Sequence, residues 1–160
     1  MSSIEKIIAS KLKDMNKSIS IAESCTGGAI CSKIVHNKGA SIIFKGGIIC
    51  YSTESKMKLL DVDPKIISDF SVVSKQVCES MAISVKKLYN SDYSIATTGN
   101  AGPEKGDSDA EIGKVFISIA SEVDVKTYEL NFNGDRKTII NNAVLRAFEL
   151  LNDILKNWKI

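Results

Sequence analysis

Ile21-Ala22-Glu23-Ser24-Cys25-Thr26-Gly27-Gly28 is the stretch around which the rest of the chain can be arranged. An apolar run, residues 19–22, stops at a carboxylate and a hydroxyl. A glycine pair then opens a helical pattern over residues 29–36. A strand, a tight hydroxyl-rich turn and a helix bring free backbone N–H groups and side-chain oxygens to one spot. That is an α/β arrangement, and the turn is the first place to look for chemistry.

Working outward, Ile4, Ile7, Ile8, Leu12 and Met15 recur at helical spacing and predict a helix over residues 3–15, followed by a short buried strand at 18–22. Residues 44–51 are β-rich, but Gly46-Gly47 interrupts them, which marks a bulge or the close approach of another backbone or a ligand. Residues 53–60 read as a helix capped by Ser52 or Thr53, and Asp63-Pro64 starts another. Ser74 caps a longer helix to about residue 89, with Val77, Met81, Ala82, Val85 and Leu88 as its stripe. A strand at 93–97 leads into a polar loop, 99–113, long enough to favour a functional role. Two further strands, 114–120 and 126–132, read as a hairpin. A last helix follows Asn133-Gly134-Asp135 with the stripe Ile140, Ala143, Val144, Ala147, Leu151, Ile154 and Trp158. Strands alternating with helices, then a late hairpin, predict a three-layer α/β/α sandwich. Its sheet should be mixed and mostly parallel, with about five or six strands. No linker or repeat divides the chain, so residues 1–160 are read as one domain.

Composition narrows the function. The chain has 160 residues, is 44% hydrophobic and 25% charged, and carries a net charge of +2. With no Lys/Arg block, that balance argues against a nucleic-acid partner. Four cysteines, Cys25, Cys31, Cys50 and Cys78, show no C-x-x-C spacing, and His36 is the one histidine. Neither a zinc site nor a disulfide framework is expected, so no metal or cofactor is assigned. Residues 1–17 lack a signal-peptide core, and no run approaches the ~20 apolar residues of a membrane span. A cytoplasmic location without a membrane partner is expected.

Four segments can carry chemistry. Ser24, at a strand-to-helix turn, is either a nucleophile or a cap, and Thr26 has the same double reading as the stronger cap candidate. Gly27 and Gly28 let a ligand approach the backbone, and the turn can hold an anion or an oxyanion. Cys25 is a rival nucleophile or a small buried hydrophobe. A serine needs a base, yet His36 falls at the far end of the following helix, which nearly excludes a Ser-His-Asp triad. A lysine kept neutral by desolvation is the remaining option. In the second segment, Tyr51-Ser52-Thr53-Glu54-Ser55-Lys56, Lys56 is that base or an exposed surface lysine, and Tyr51 can hydrogen-bond or stack on a ring. Third, Thr97-Thr98-Gly99-Asn100-Ala101-Gly102-Pro103 is a strand end entering a Gly-rich loop, a position that lines ligand crevices in α/β sheets. Glu104, Asp107, Asp109 and Glu111 would form a loose acidic rim, read as solvated rather than metal-binding. Fourth, Arg136 in Gly134-Asp135-Arg136 can clamp a phosphate or carboxylate, while Asp135 suits a helix start.

Together and in this order, AESCTGG at 22–28, GGIICYSTESK at 46–56, VS at 73–74, TGNAGP at 98–103 and GDR at 134–136 resemble the C-terminal domain of the competence-damage-inducible protein CinA. That domain also occurs as the stand-alone PncC amidohydrolase. The resemblance covers residues 3–155, and the length fits the stand-alone form. It implies a nicotinamide-nucleotide amidase that converts nicotinamide mononucleotide and water to nicotinic acid mononucleotide and ammonia, without a metal and commonly as a homo-oligomer. By resemblance, Ser24 is the nucleophile, Lys56 its base and Arg136 a further catalytic residue. The substrate-binding set is then Cys25, Thr26, Gly27, Gly28, Gly47, Tyr51, Thr98, Gly99, Ala101 and Gly102. The chain departs from the family pattern at Thr53, where Asn is usual, at Asn100, where Ile is usual, and at residues 109–113. A nucleotide-sensing module without turnover, and a Ser-Lys amidase for another small amide, are the competing expectations.

Overall fold

The computed structural model describes residues 3–156. In chain order the elements are α1 (Ile4–Asp14), β1 (Ile19–Glu23), α2 (Ala29–Val35), α3 (Ala40–Ile43), β2 (Phe44–Ile49), α4 (Thr53–Leu60) and α5 (Pro64–Phe70). They continue as α6 (Lys75–Tyr89), β3 (Tyr93–Gly99), β4 (Lys114–Ala120), β5 (Val125–Asn131) and α7 (Arg136–Lys156). The five strands form one sheet in the order β2-β1-β3-β4-β5. β1 pairs in parallel with both β2 and β3, while β3–β4 and β4–β5 are antiparallel. Four strands therefore run one way and only β4 runs against them. The C-terminal ends of β1, β2, β3 and β5 all reach the same edge of the sheet.

The strand sequences sort their side chains by size. On one face Ile19, Ile21, Ile95, Ile117 and Ile119 pack against α1, α2, α3 and α7, where Leu12, Ile30 and Phe148 are buried. Each such side chain contributes about 1.5–3 kcal/mol by leaving water. On the other face the strands present small residues, Ser20, Ala22, Ser94, Ala96, Ser118 and Ala120, all buried. This lets α6 settle close to the sheet with Val77, Met81, Ala82 and Val85. The hydroxyls there are not wasted. Ser94 Oγ donates to Ala82 O at 2.7 Å and Ser20 Oγ to Val85 O at 3.2 Å, tying strands to helix. The result is the three-layer α/β/α sandwich with a mixed sheet.

Local signals placed most elements to within a residue or two. Ser52 Oγ accepts the Ser55 N–H, Asp63 accepts the Lys65 N–H ahead of Pro64, and Ser74 accepts the Val77 N–H, so all three caps act as such. Four details differ. The short α3 was missed, because four residues carry no helical period. The buried face of α7 begins at Ile139 and includes Phe148, Leu150 and Leu155, whereas Ile140 and Ile154 sit at its flank. Apolar residues occur in adjacent pairs there, so the sequence leaves the phase open and the sheet decides it; Trp158 lies outside the described residues. Thr26 is not the α2 cap: its Oγ1 lies 2.8 Å from Thr97 Oγ1, and Gly28 stands at the N-cap with φ 98° and no side-chain cap bond. Finally, Leu88, counted in the α6 stripe, is exposed. The reading of Gly46-Gly47 holds: the β1–β2 register shifts just before Gly46, and the close approach is internal. A Cβ on Gly47 would strike Cys31 Sγ, and one on Gly46 the Tyr89 ring.

Candidate active site

The site lies at the sheet edge where the parallel strands end. Ser24 is the first residue past β1. Its N–H donates to Thr97 O at 3.1 Å on one side, and Cys50 N–H donates to Glu23 O at 2.9 Å on the other. The ladder of β1 with its neighbours thus runs on to the serine itself. Lys56 sits one turn inside α4, and its side chain is among the largest fully buried ones of the described residues, with 1% exposure. Its Nζ is 2.9 Å from Ser24 Oγ, 2.9 Å from Cys50 O and 3.1 Å from Tyr51 O. Among the described residues no carboxylate forms an ion pair with it. Burial without a counter-charge lowers its pKa from the usual lysine value.

The geometry suits a neutral amine. Nζ donates to all three oxygens; once the amine has lost a proton, two N–H groups still serve the two carbonyls and the lone pair left faces the serine hydroxyl. Cys25, beside Ser24, is buried, and its thiol is pushed up to about 12 mainly by that burial. It is therefore a thiol at neutral pH and a poor nucleophile. His36 is exposed at the far end of α2, with Nδ1 against Ser32 O at 2.6 Å, and takes no part.

Glu23 has a clear place that the sequence left open. Fully buried, its carboxylate accepts the N–H groups of Gly28 at 3.1 Å, Ile30 at 3.1 Å and Cys31 at 2.8 Å. The first turn of α2 is thereby satisfied from within. Gly27 N–H donates to Ser24 O and Ala29 N–H to Thr26 O. That leaves the Cys25 and Thr26 N–H groups without a hydrogen-bond partner among the described residues, next to the serine.

A cavity of about 320 Å³ opens over Ser24 and Lys56. Of the residues singled out by sequence, Ser24, Cys25, Tyr51, Lys56, Thr98, Gly99, Ala101 and Arg136 border it, whereas Thr26, Gly27, Gly28, Gly47 and Gly102 do not. Gly102 contributes differently: its carbonyl accepts from Arg136 Nη1 at 2.6 Å, while Arg136 Nη2 donates to Tyr51 Oη at 2.8 Å. Arg136 opens α7, whose first turn is capped by Asp135 Oδ1 on the Thr138 N–H at 2.8 Å. The arginine thus straps the end of β2 to the loop after β3, with guanidinium N–H groups to spare for an anion. Thr98 Oγ1 donates to Val72 O at 3.1 Å and fixes the wall below α6. Reading by segment missed Val72 and, in the loop, Lys105, Gly106 and Ser108 on this cavity. Only the length of the loop hinted at the last group. Of the acidic rim, Glu104 and Asp107 border the cavity and Asp109 and Glu111 do not.

Comparison with known proteins agrees with this architecture. Residues 1–155 match the CinA C-terminal domain family. A CinA-like protein of Flavobacterium psychrophilum is 45% identical over 156 residues, 97% of this chain, and one of Endomicrobium trichonymphae is 41% identical over 140 residues, 88% of this chain. The chain spans 37% and 33% of the length of these two relatives. The crystal structure of a competence or damage-inducible protein from Enterobacter asburiae superposes with a TM-score of 0.92 at 30% identity, covering 97% of this chain and 99% of that one. A CinA superfamily protein from Klebsiella pneumoniae gives 0.93 at 26% identity, covering 97% of both.

Proposed function

This chain belongs to the CinA C-terminal domain family, and from that premise we propose that it hydrolyses the carboxamide of nicotinamide mononucleotide to nicotinic acid mononucleotide and ammonia. The observation that carries the reading is the buried Lys56 amine, 2.9 Å from Ser24 Oγ and held by two carbonyls with no carboxylate partner. The neutral amine takes the Ser24 proton as Oγ bonds to the carboxamide carbon. Charge then develops on the carboxamide oxygen, within reach of the unpartnered N–H groups of Cys25 and Thr26. Lys56 returns the proton to the leaving nitrogen, the C–N bond breaks and ammonia departs. Water attacks the acyl-serine, gives its proton to Lys56, and the acid is released as Ser24 recovers its own.

The 5′-phosphate is assigned to Arg136, because the start of α2 is already occupied by Glu23, and Tyr51 is placed to flank the pyridine ring. The same reading takes a small molecule, neither nucleic acid nor membrane, as the partner, and assembles the chain as a homo-oligomer in the cytoplasm. Among the described residues no helix is long and apolar enough to cross a membrane. The test is ammonia release from nicotinamide mononucleotide, free nicotinamide and the unphosphorylated riboside. Preference for the phosphorylated compound in the wild type, and its loss in Ser24→Ala, is the expected result. Full activity in Ser24→Ala would sink the nucleophile assignment.

A further inference from the structure

The loop between β3 and β4 forms the outer wall of the cavity through residues 104–108. It has no helix or strand of its own, so its shape depends on particular ties. Asn100 supplies them. It is 6% exposed, and its carboxamide is used fully: Oδ1 accepts the Gly102 N–H at 3.1 Å, while Nδ2 donates to Lys105 O at 3.1 Å and Ala110 O at 3.0 Å. Its main chain closes the neck of the loop, with Asn100 N–H donating to Lys114 O at 2.9 Å and Gly113 N–H to Asn100 O at 2.7 Å. Arg136 holds the near limb at Gly102 O, and the side-chain ties of the outer part, residues 104–111, are otherwise slight. Ser108 Oγ reaches Lys105 O only at 3.4 Å, and the Lys105–Glu111 ion pair is solvent-exposed.

We propose that Asn100 is a positioning residue that shapes this wall, and that the wall reads the polar part of the substrate remote from the carboxamide. The proposal rests on the amidase reading for the identity of the substrate. The reacting groups, Ser24 just past β1 and Lys56 in α4, are buried, and the Lys56 amine is held by Ser24, Cys50 and Tyr51 rather than by the loop. The wall presents Glu104, Lys105, Asp107 and Ser108. An amide that carries a hydroxylated, phosphorylated substituent would set its carboxamide at Ser24, its hydroxyls against those polar groups and its phosphate toward Arg136. Asn100 touches neither reacting atom and acts only through the loop.

Asn100→Asp is the sharp test. It keeps the shape and the acceptor for Gly102, but it turns an oxygen toward two carbonyl oxygens in place of their donor. Asn100→Ala removes the ties without that repulsion and serves if the first variant fails to fold. The expected outcome is a KM for nicotinamide mononucleotide raised roughly tenfold, with kcat changed by less than about threefold. Faster hydrogen exchange should be confined to amides 101–112. A fall in kcat at unchanged KM, or an unchanged KM with a loosened loop, overturns the proposal. Exchange is measured without substrate. A wild type that releases no ammonia from nicotinamide mononucleotide therefore refutes the amidase reading, whereas unaltered exchange in both variants refutes the role of Asn100.

Discussion

Replacing Lys56 with methionine tests the mechanism at its centre. Methionine fills a similar volume, but its thioether sulfur is not basic and it has no N–H groups, so the Ser24 hydroxyl loses the amine beside it. A positioned base contributes about 10²–10⁴-fold to the rate, and a loss of that size in kcat is expected, with KM changed far less. The pH profile carries the sharper number. An unperturbed lysine would be only about 0.1% neutral at pH 7.5, and each tenfold gain in the neutral fraction requires one unit of depression. Burial depresses Lys56 below its usual 10.5. The kcat/KM of the wild type should therefore rise with unit slope through a midpoint below 10.5 and then level off, since the base works only when deprotonated. Ammonia release between pH 6 and 10.5, with circular dichroism to confirm that Lys56→Met is folded, gives both readouts. A rising limb that persists to 10.5 without levelling, or a folded Lys56→Met that keeps more than a tenth of wild-type kcat, would refute the reasoning.

Two further perturbations bear on the frame around that pair. Glu23→Ala leaves three N–H groups of α2 without an acceptor in a buried setting; urea unfolding should show a loss of about 3–5 kcal/mol, and kcat should drop as the Ser24 turn loosens. Asp92 accepts the Ser18 N–H and Oγ, both at 2.8 Å, and the Lys17 ammonium at 3.0 Å. Burial pushes its pKa up, but these partners outweigh burial and hold it at about 2 against a usual 3.8. A folded value below the unfolded one stabilises the fold above pH 4, and that stabilisation is lost as pH falls through 2. The full shift corresponds to about 2.4 kcal/mol, which solvent screening at this partly exposed site reduces to ~1 kcal/mol. The stability gap between wild type and Asp92→Asn should narrow by that amount between pH 7 and pH 2 in urea titrations.

What could be read from the sequence divides along physical lines. The α6 stripe from Val77 to Val85, the Ser52, Asp63 and Ser74 caps and the alternation of strands with helices are local properties, and they appear where their residues predict them; Leu88, in the last turn of α6, is exposed instead. That Ser24 would need a lysine follows from a chain with one ill-placed histidine. That Lys56 is the lysine beside it came from family resemblance, because the two stand 32 positions apart and are brought together by the pairing of β1 with β2. The partners of Glu23, Asn100 and Gly47 were not legible. Each takes its meaning from a partner in another element: the α2 N–H groups, the far limb of the loop, and Cys31. The phase of α7 was ambiguous for the same reason, since only the sheet selects between neighbouring apolar residues.

The ladder that runs past the end of β1 has a consequence for how the protein would fail. Ser24, Glu23, Cys50 and Lys56 form a closed circuit: Glu23 O accepts from Cys50 N–H, Cys50 O accepts from Lys56 Nζ, and Lys56 Nζ meets Ser24 Oγ. The spacing of base and nucleophile is therefore gauged by main-chain register, and half of that gauge is β2, an outer strand of the sheet. Outer strands open at lower free energy than the interior. When β2 lifts, it carries the amine away from the serine while the interior of the sandwich stays intact. On the amidase reading, catalytic competence and foldedness are then separate quantities, and the first would be forfeited before the second.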